Sequence, residues 1–241
     1  MDNRLDNFVS EYKPGAITSI ENELILNWYP ERILGHVKGA SSILELGLGH
    51  GHSALQFSPH FTRHVVVEGS QTVIDLFNQN NNVHSIEIKK KYFETFETDE
   101  KFDVIVMGFV LEHVHSPGLL LDRYSQFLTS KGRMFIAVPN GKCLNRRLGL
   151  ELGLIHDIYE LNKNDLALGH KRQFCRDTLK KLLYHHQYKV IREEGIYLKP
   201  LPLEHLKTLP RFEDNLRAML QVGIDFPDLC VGILVEVTHE E

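Results

Sequence analysis

The sequence predicts an α/β protein built on a doubly wound, seven-stranded and mostly parallel sheet. Short apolar runs alternate with amphipathic segments along the chain, which is the pattern of βαβ units in a parallel sheet. The run at 102–107 is nearly continuous, as in strands that are buried on both faces. A glycine-rich turn follows the first run, and a turn of this kind between a strand and a helix forms the ligand-binding unit of doubly wound folds.

Composition narrows the class of protein. The 241 residues are enough to bury a sizeable core, and 42% of them are hydrophobic. A net charge of −5 argues against a nucleic-acid partner that is bound through its phosphates. No apolar run has the length of a membrane span, and the first residues lack the apolar core of a signal peptide. The cysteines (Cys143, Cys175 and Cys230) are odd in number and widely spaced, so we expect no disulfide framework and a cytoplasmic location.

Two units are predicted along the chain. Residues 1–40 are expected to form an N-terminal helical cap over the end of the sheet that carries the glycine-rich turn. Thr18-x-x-Glu21 fits a capping box that opens the first helix, and Pro30 is expected to end it and begin a second one. Residues 41–241 form the main domain.

The main domain contains the predicted strands, which are short apolar runs bounded by turn residues. They lie at 43–46, 64–68, 83–88, 102–107, 134–138, 188–193 and 230–237. Lys131-Gly132 is predicted to be the turn before the fifth strand. Two long segments, at about 141–169 and 199–229, interrupt the alternation of strands and helices. Insertions of this length at strand ends are typical of lids and substrate walls.

The glycine spacing in the turn after the first strand indicates which kind of nucleotide-like ligand is expected. A dinucleotide fingerprint would place its third glycine at position 52, which is His52, whereas this chain has glycines at 47, 49 and 51. Glu45 precedes them, and a carboxylate beside the turn suits a cationic or amino-bearing ligand better than a pyrophosphate. Glu68 ends the second strand, where a carboxylate can accept hydrogen bonds from ribose hydroxyls.

Two motifs carry a resemblance to a known family. Glu45-x-Gly47-x-Gly49-x-Gly51 followed by Glu68 resembles the first two motifs of the class I S-adenosylmethionine-dependent methyltransferases. Leu111-Glu112-His113, after the fourth strand, resembles a stretch of small-molecule methyltransferases such as the ubiquinone-pathway type. The resemblance extends over roughly residues 40–237, with the two lid segments only loosely matched.

The resemblance implies a Rossmann-like methyltransferase fold and S-adenosylmethionine as the cofactor. The glycine turn would hold the methionyl portion, the acid on the second strand the ribose, and the 92–93 segment the adenine. The backbone after the fourth strand would accept a hydrogen bond from the ligand's amino group. The expected cofactor-binding residues are Glu45, Gly47, Gly49, Gly51, Glu68, Gly69, Tyr92, Phe93, Met107, Gly108 and Phe109. An alternative interpretation of the 92–93 segment is that Phe93 and Phe96 only pack in the hydrophobic core.

Methyl transfer from a sulfonium needs mainly in-line positioning, and a base where the nucleophile carries a proton. Histidine is the usual base near neutral pH. His170, beside the first lid segment, is preferred in this role, and His113 is the second candidate. A metal is less favoured, because Glu112-His113-x-His115 has ligand-type residues but no second cluster with evident spacing accompanies it.

The acceptor is expected to be a small molecule that is methylated on oxygen or nitrogen. An [N/D]-P-P-[Y/F] motif after the fourth strand is absent from the sequence, which counts against methylation of adenine or cytosine amino groups. Basic residues flank the first lid segment, and two of them facing inward would favour an anionic acceptor, such as a phosphorylated or nucleotide-linked metabolite. They are Arg146, Arg147, Lys171 and Arg172. The resemblance also points to sugars and secondary metabolites.

Two other classes of function are compatible with the sequence. An NAD-dependent oxidoreductase uses a similar sheet, although His52 in place of the third glycine opposes it. A non-catalytic S-adenosylmethionine-binding protein would keep the same turn and the same acid without turnover.

Overall fold

The computed structural model describes residues 19–240 of the chain. The strands in this range are β1 (Ser42–Leu46), β2 (Arg63–Glu68), β3 (Ile86–Lys90), β4 (Phe102–Gly108), β5 (Leu128–Pro139), β6 (Tyr188–Ile196) and β7 (Gly232–His239). The helices are α1 (Ser19–His36), α2 (His52–Phe57), α3 (Gln71–Asn80), α4 (Pro117–Ser125), α5 (Leu144–Glu151), α6 (Lys163–Ala167), α7 (Arg176–His185), α8 (Leu203–Leu206) and α9 (Phe212–Gly223). None of them is both long and apolar enough to cross a membrane.

The strands form one sheet in the order β3-β2-β1-β4-β5-β7-β6. β1 lies between β2 and β4 and is parallel to both, so the chain reverses its direction of winding at this strand. β7 is antiparallel to both of its neighbours, β5 and β6. The predicted doubly wound, seven-stranded and mostly parallel sheet is therefore confirmed. In such sheets ligands bind at the carboxyl ends of the strands beside the point of reversal, here the ends of β1 and β4.

Apolar side chains cover both faces of the sheet. On one face Leu44 and Ile105 pack in a cluster with residues of α4 and α7. On the other face Ile43 and Val104 pack with residues of α1 and α9. Alternate residues of each strand thus enter different clusters, as the two-residue period of a strand requires.

The N-terminal prediction is partly wrong, because α1 continues through Pro30 instead of ending there. Proline removes one helical hydrogen bond and crowds the preceding turn, but Tyr29 and Ile33 on either side are almost fully buried against the sheet. Their packing keeps the helix in one piece. Thr18 of the predicted capping box lies outside the described residues. The carboxylate of Glu21 accepts hydrogen bonds from Tyr197 and Lys199.

The fifth strand is longer than predicted, and Lys131-Gly132 lies inside β5 instead of forming a turn before it. The register with β4 shifts between Phe102 and Val104, so this stretch forms an irregularity in the strand. A Cβ on Gly132 would lie 3.0 Å from the backbone oxygen of Phe102. The glycine is needed because two backbones approach closely here, and a close approach resembles a turn at the sequence level.

The two long segments after β5 and β6 contain short helices and meet each other. The side-chain amide of Asn140, at the end of β5, donates hydrogen bonds to the backbone oxygens of Asp228 and Cys230. The backbone N–H of Leu144 donates to the oxygen of Leu229. The segment at 141–169 is therefore attached at its base to the end of the segment at 199–229.

Candidate active site

The glycine turn after β1 adopts the left-handed backbone that its sequence suggests. Gly47, Gly49 and Gly51 have φ angles of 84°, 50° and 80°. This region is costly for side chains with a Cβ, so the path of the loop depends on glycine. Gly51 also precedes the first residue of α2 and serves as its N-terminal cap. The loop therefore leads straight from the end of β1 into a helix N-terminus.

Two aromatic rings lie against this loop. A Cβ on Gly51 would lie 2.6 Å from the ring of Phe77, on α3. A Cβ on Gly47 would lie 3.7 Å from the ring of Phe93, which follows β3. The predicted adenine-lining residue Phe93 therefore stands next to the predicted methionyl loop. Tyr92, its neighbour, is 46% exposed, and Phe96 is buried in the core as the alternative interpretation required.

Glu68 at the end of β2 is bound to the loop. Its Oε2 accepts a hydrogen bond of 3.0 Å from the backbone N–H of Leu48, and its Oε1 accepts one of 2.7 Å from the N–H of Ser70. A carboxylate accepts hydrogen bonds through both of its oxygens, and both oxygens of Glu68 bond to the backbone beside the loop. Gly69 follows it directly and begins the link to α3. The acid and the loop, predicted separately, are in direct contact.

Glu45 lies beneath the loop and is only 1% exposed. Its carboxylate accepts a hydrogen bond from the Ser53 hydroxyl on α2 and lies 3.2 Å from Nε2 of His64 on β2. Burial and the charge of Glu45 raise the pKa of Tyr29 on α1, and a hydrogen bond with Ser53 opposes this shift. A buried carboxylate at a helix N-terminus stabilises the start of that helix. Its predicted contact with the ligand remains a prediction.

The end of β4 is covered by the N-terminal helix. A Cβ on Gly108 would lie 2.7 Å from Cζ of Tyr29, and the Tyr29 ring meets the edge of the Phe109 ring at 5.6 Å. Phe109 has a φ of 57°, and its N–H donates to the oxygen of Ala137 on β5. Met107 is fully buried. Tyr29 was missed as a site residue because helical spacing alone marks it only as core.

The two predicted catalytic histidines are brought together from positions 57 residues apart. The rings of His113 and His170 meet edge to face, with centroids 4.8 Å apart. Nδ1 of His170 lies 3.2 Å from the Asp165 carboxylate. Burial, together with the neighbouring His170 ring, lowers the pKa of His113 to about 4 although a hydrogen bond to Gly169 opposes this shift. His113 is therefore neutral at physiological pH.

The neighbouring Glu112 is a buried acid, 1% exposed. Burial raises the pKa of its carboxyl to about 8. Neither of its oxygens has a hydrogen-bond partner among the described residues. Buried polar groups are nearly always paired, so this carboxyl requires an explanation.

Most of the basic residues near the first lid segment donate hydrogen bonds to backbone oxygens. Arg172 donates to the backbone oxygens of Leu111, Val114 and His115. Arg146 donates to backbone oxygens within 141–160. Arg147 also donates to backbone oxygens, those of residues 142 and 228. These three guanidinium groups hold the chain in place, and the expected anionic acceptor remains a prediction.

The fold is that of an S-adenosylmethionine-dependent methyltransferase of class I. Residues 22–193 match the model of the methyltransferase domain family, and the chain belongs to that family. This result decides against the oxidoreductase alternative. No curated protein matches the chain in sequence.

Solved structures of low sequence identity share the fold. NodS, an N-methyltransferase of Bradyrhizobium japonicum solved with S-adenosylhomocysteine, is 13% identical, with a TM-score of 0.58 and 100% of both chains covered. A Burkholderia thailandensis 1,6-didemethyltoxoflavin-N1-methyltransferase is 16% identical, with a TM-score of 0.62, and the match covers 98% of this chain and 87% of that one. A Haloferax volcanii protein solved with the Trm112 methyltransferase activator is 11% identical, with a TM-score of 0.65 and coverage of 100% and 98%.

Proposed function

We propose that the enzyme transfers a methyl group from S-adenosylmethionine to an oxygen or nitrogen of a small molecule. The observation that carries the cofactor site is the direct contact between the glycine loop and Glu68. The loop would hold the methionyl portion, and Glu68, at the end of β2 beside the loop, would hold the ribose. Phe93, packed beside Gly47, would line the adenine.

The acceptor class is supported by two points. The loop after β4 reads Gly108-Phe109-Val110-Leu111 and lacks the motif typical of enzymes that methylate nucleobase amino groups. NodS and the didemethyltoxoflavin enzyme share the fold, and the latter was solved with its small-molecule substrate. Sugars, phosphorylated compounds and secondary metabolites stay within the proposed class.

His170 and His113 are proposed to activate the acceptor. The Asp165 carboxylate lies 3.2 Å from Nδ1 of His170, where its charge would stabilise the imidazolium that forms when the ring accepts a proton. The proposal places one of these imidazoles against the acceptor's hydroxyl or amine, where it accepts the proton that the nucleophile loses on methylation. The sulfonium supplies the activated methyl group, so positioning provides the rest.

The first experiment tests cofactor binding. S-adenosylhomocysteine should raise the melting temperature of the wild type, because a ligand specific to the folded state stabilises it. Gly49→Val should abolish that shift while the protein stays folded by circular dichroism. No shift for the wild type at millimolar ligand, or an unchanged shift for the variant, would refute the loop assignment.

The second experiment tests the histidines. With an acceptor found by screening methyl transfer, His170→Ala should lower kcat by about 10²- to 10⁴-fold, the range of general acid–base catalysis, while the affinity for S-adenosylhomocysteine stays constant. His205→Ala, on an exposed residue of α8, is the matched control. Equal activity of the two variants would reject the role of His170.

A further inference from the structure

Three side chains with metal-binding atoms converge at the end of β4. Glu112 and His113 are consecutive, and His170 comes from the far end of the first lid segment. One ligand atom of each residue lies within 4.8 Å of the other two. The backbone joins the same two segments, because the N–H of Lys171 donates to the oxygen of Glu112.

The Glu112 carboxylate points to a missing partner. It is 1% exposed, and its two oxygens form no hydrogen bond within residues 19–240. A buried carboxyl without a partner costs free energy unless a cation or a donor completes it. The guanidinium of Arg172 is close by, but it donates to backbone oxygens of the 111–115 loop instead. The two imidazoles are therefore the polar groups that share this space with Glu112.

Each of the two imidazoles also lies beside a further polar group. His170 has its Nδ1 at 3.2 Å from the Asp165 carboxylate. The backbone of Gly169 lies beside the ring of His113. An imidazole that directs one nitrogen towards a carboxylate or a carbonyl presents its other nitrogen to a ligand. This is the usual arrangement around histidines that bind a metal.

We propose that Glu112, His113 and His170 bind a divalent transition-metal cation. Two imidazole nitrogens and one carboxylate oxygen form a donor set used for Zn²⁺ and Fe²⁺, and three protein ligands leave a coordination position open. With metal–ligand bonds of about 2.0–2.2 Å, a tetrahedral or facial arrangement places the ligand atoms about 3.0–3.6 Å apart. The ligand atoms here lie within 4.8 Å of one another, so metal binding requires the side chains to close by about 1 Å or more.

The site differs from the one considered in the sequence. There the ligand types were Glu112, His113 and His115, and no second cluster accompanied them. The structure leaves His115 exposed, and the two imidazoles that meet are His113 and His170. The third ligand comes from a segment that sequence spacing could not associate with this loop.

The inference deepens the proposed function, since it makes the same histidines metal ligands and places the open coordination position where an acceptor oxygen or nitrogen would bind. With a metal bound, these side chains would hold the cation, which would lower the pKa of a bound acceptor hydroxyl so that its proton leaves to solvent water. The binding of the metal itself does not depend on methyl transfer.

The test is a metal titration of the full-length protein after removal of metals by chelation. Calorimetry with Zn²⁺, and visible absorbance with Co²⁺ as a spectroscopic probe, should both give one site per chain. Glu112→Gln and His170→Ala should each weaken binding at least about 100-fold, since even outer-shell changes cost 10- to 100-fold. His115→Ala is the matched control and should bind as the wild type does.

Folding of each variant is checked by its melting transition with S-adenosylhomocysteine, which also keeps the two proposals separate. Metal binding lost in Glu112→Gln, with the cofactor shift intact, supports the site. A cofactor shift without any metal site overturns the inference and leaves the proposed function standing. A metal site without a cofactor shift supports the inference and contradicts the proposed function. Equal weakening in His115→Ala, or several weak sites, would show an adventitious ion only and overturn the inference.

Discussion

The side chain of Glu68 accepts a 3.0 Å hydrogen bond from the backbone N–H of Leu48, and so joins the second strand of the sheet to the glycine loop that follows the first. The second oxygen of the carboxylate accepts from Ser70, the N-terminal cap of α3. One acidic residue therefore fixes both the loop and the following helix. It serves the shape of the site as well as the proposed ribose contact.

Glu68→Gln should weaken the site and the fold together. The amide keeps one acceptor oxygen, so one of the N–H groups of Leu48 and Ser70 loses its partner. We expect unfolding free energy to fall by about 1–3 kcal/mol, and affinity for S-adenosylhomocysteine to fall at least tenfold. Urea denaturation and calorimetry measure these quantities. Glu87→Gln, on a half-exposed residue of β3, is the control, and equal values for the two variants would contradict the assignment.

Gly51→Ala should destabilise the protein more than Gly39→Ala. Both glycines have positive φ angles, 80° and 84°, so each alanine carries a left-handed backbone cost of about 1–2 kcal/mol. Only at Gly51 does the added Cβ also meet the Phe77 ring, at 2.6 Å, whereas the space around Gly39 is open. Crowding adds about 1–3 kcal/mol. Chemical denaturation of both variants, and partial rescue by Phe77→Leu, checks this; equal losses would disprove it.

Glu194 should contribute stability that disappears in acid. Burial alone would raise the pKa of this carboxyl on β6, but hydrogen bonds from Arg32 and His36 on α1 outweigh burial and lower the pKa. A carboxyl with a lowered pKa in the folded state stabilises the protein above its unfolded pKa of about 4.3. That stability is lost as pH falls through the folded value.

Glu194→Gln should therefore lower the unfolding free energy by about 1–3 kcal/mol at pH 7, because Arg32 loses its charged partner. The difference from the wild type should shrink progressively below about pH 4.3. Denaturation curves at a series of pH values measure it. A difference that stays constant down to pH 2 would mean that the ion pair does not link α1 to the sheet.

Arg146→Lys should loosen the first lid segment. The guanidinium of Arg146 donates to the backbone oxygens of Ile158 and Glu160, at 2.9 and 2.6 Å, and an ammonium cannot reproduce that fork. A loss of about 1.4 kcal/mol in local stability corresponds to about tenfold more of the open form. Thermolysin should then cut at the exposed Leu152 or Leu154 about tenfold faster. Arg217→Lys, on an exposed residue of α9, should be cut at the wild-type rate.

Most of the sheet could be predicted from sequence because buried strands carry their signal locally. The run at 102–107 corresponds to β4 with one added residue. Errors occurred where tertiary packing overrides a local rule. Pro30 stays inside α1 because its neighbours are buried, and Lys131-Gly132 sits in a strand irregularity, which has the composition of a turn. The prediction for β3 is 83–88, whereas the strand begins at Ile86, because Val83 extends the apolar pattern although residues 83–85 do not pair with β2.

The residues of the site also differ in how far local sequence predicts them. The glycine loop and Glu68 were recognisable because they are adjacent to strands and follow a spaced pattern. Tyr29, Ser53 and His64 were not, since nothing in their spacing shows that they surround Glu45. The meeting of His113 with His170 depends on how residues 141–169 fold back. No local signal encodes that return path.

The position of β7 in the sheet has a consequence for synthesis of the protein. This strand, residues 232–239, lies between β5 and β6, and both of them are made earlier. While the ribosome is still producing the chain, β6 has no partner to hydrogen-bond to, and the edge of β5 stays open. A nascent chain must wait for β7 before those two edges close. Emergence of β7 from the exit tunnel is therefore the step at which this half of the sheet stops exposing strand edges to aggregation.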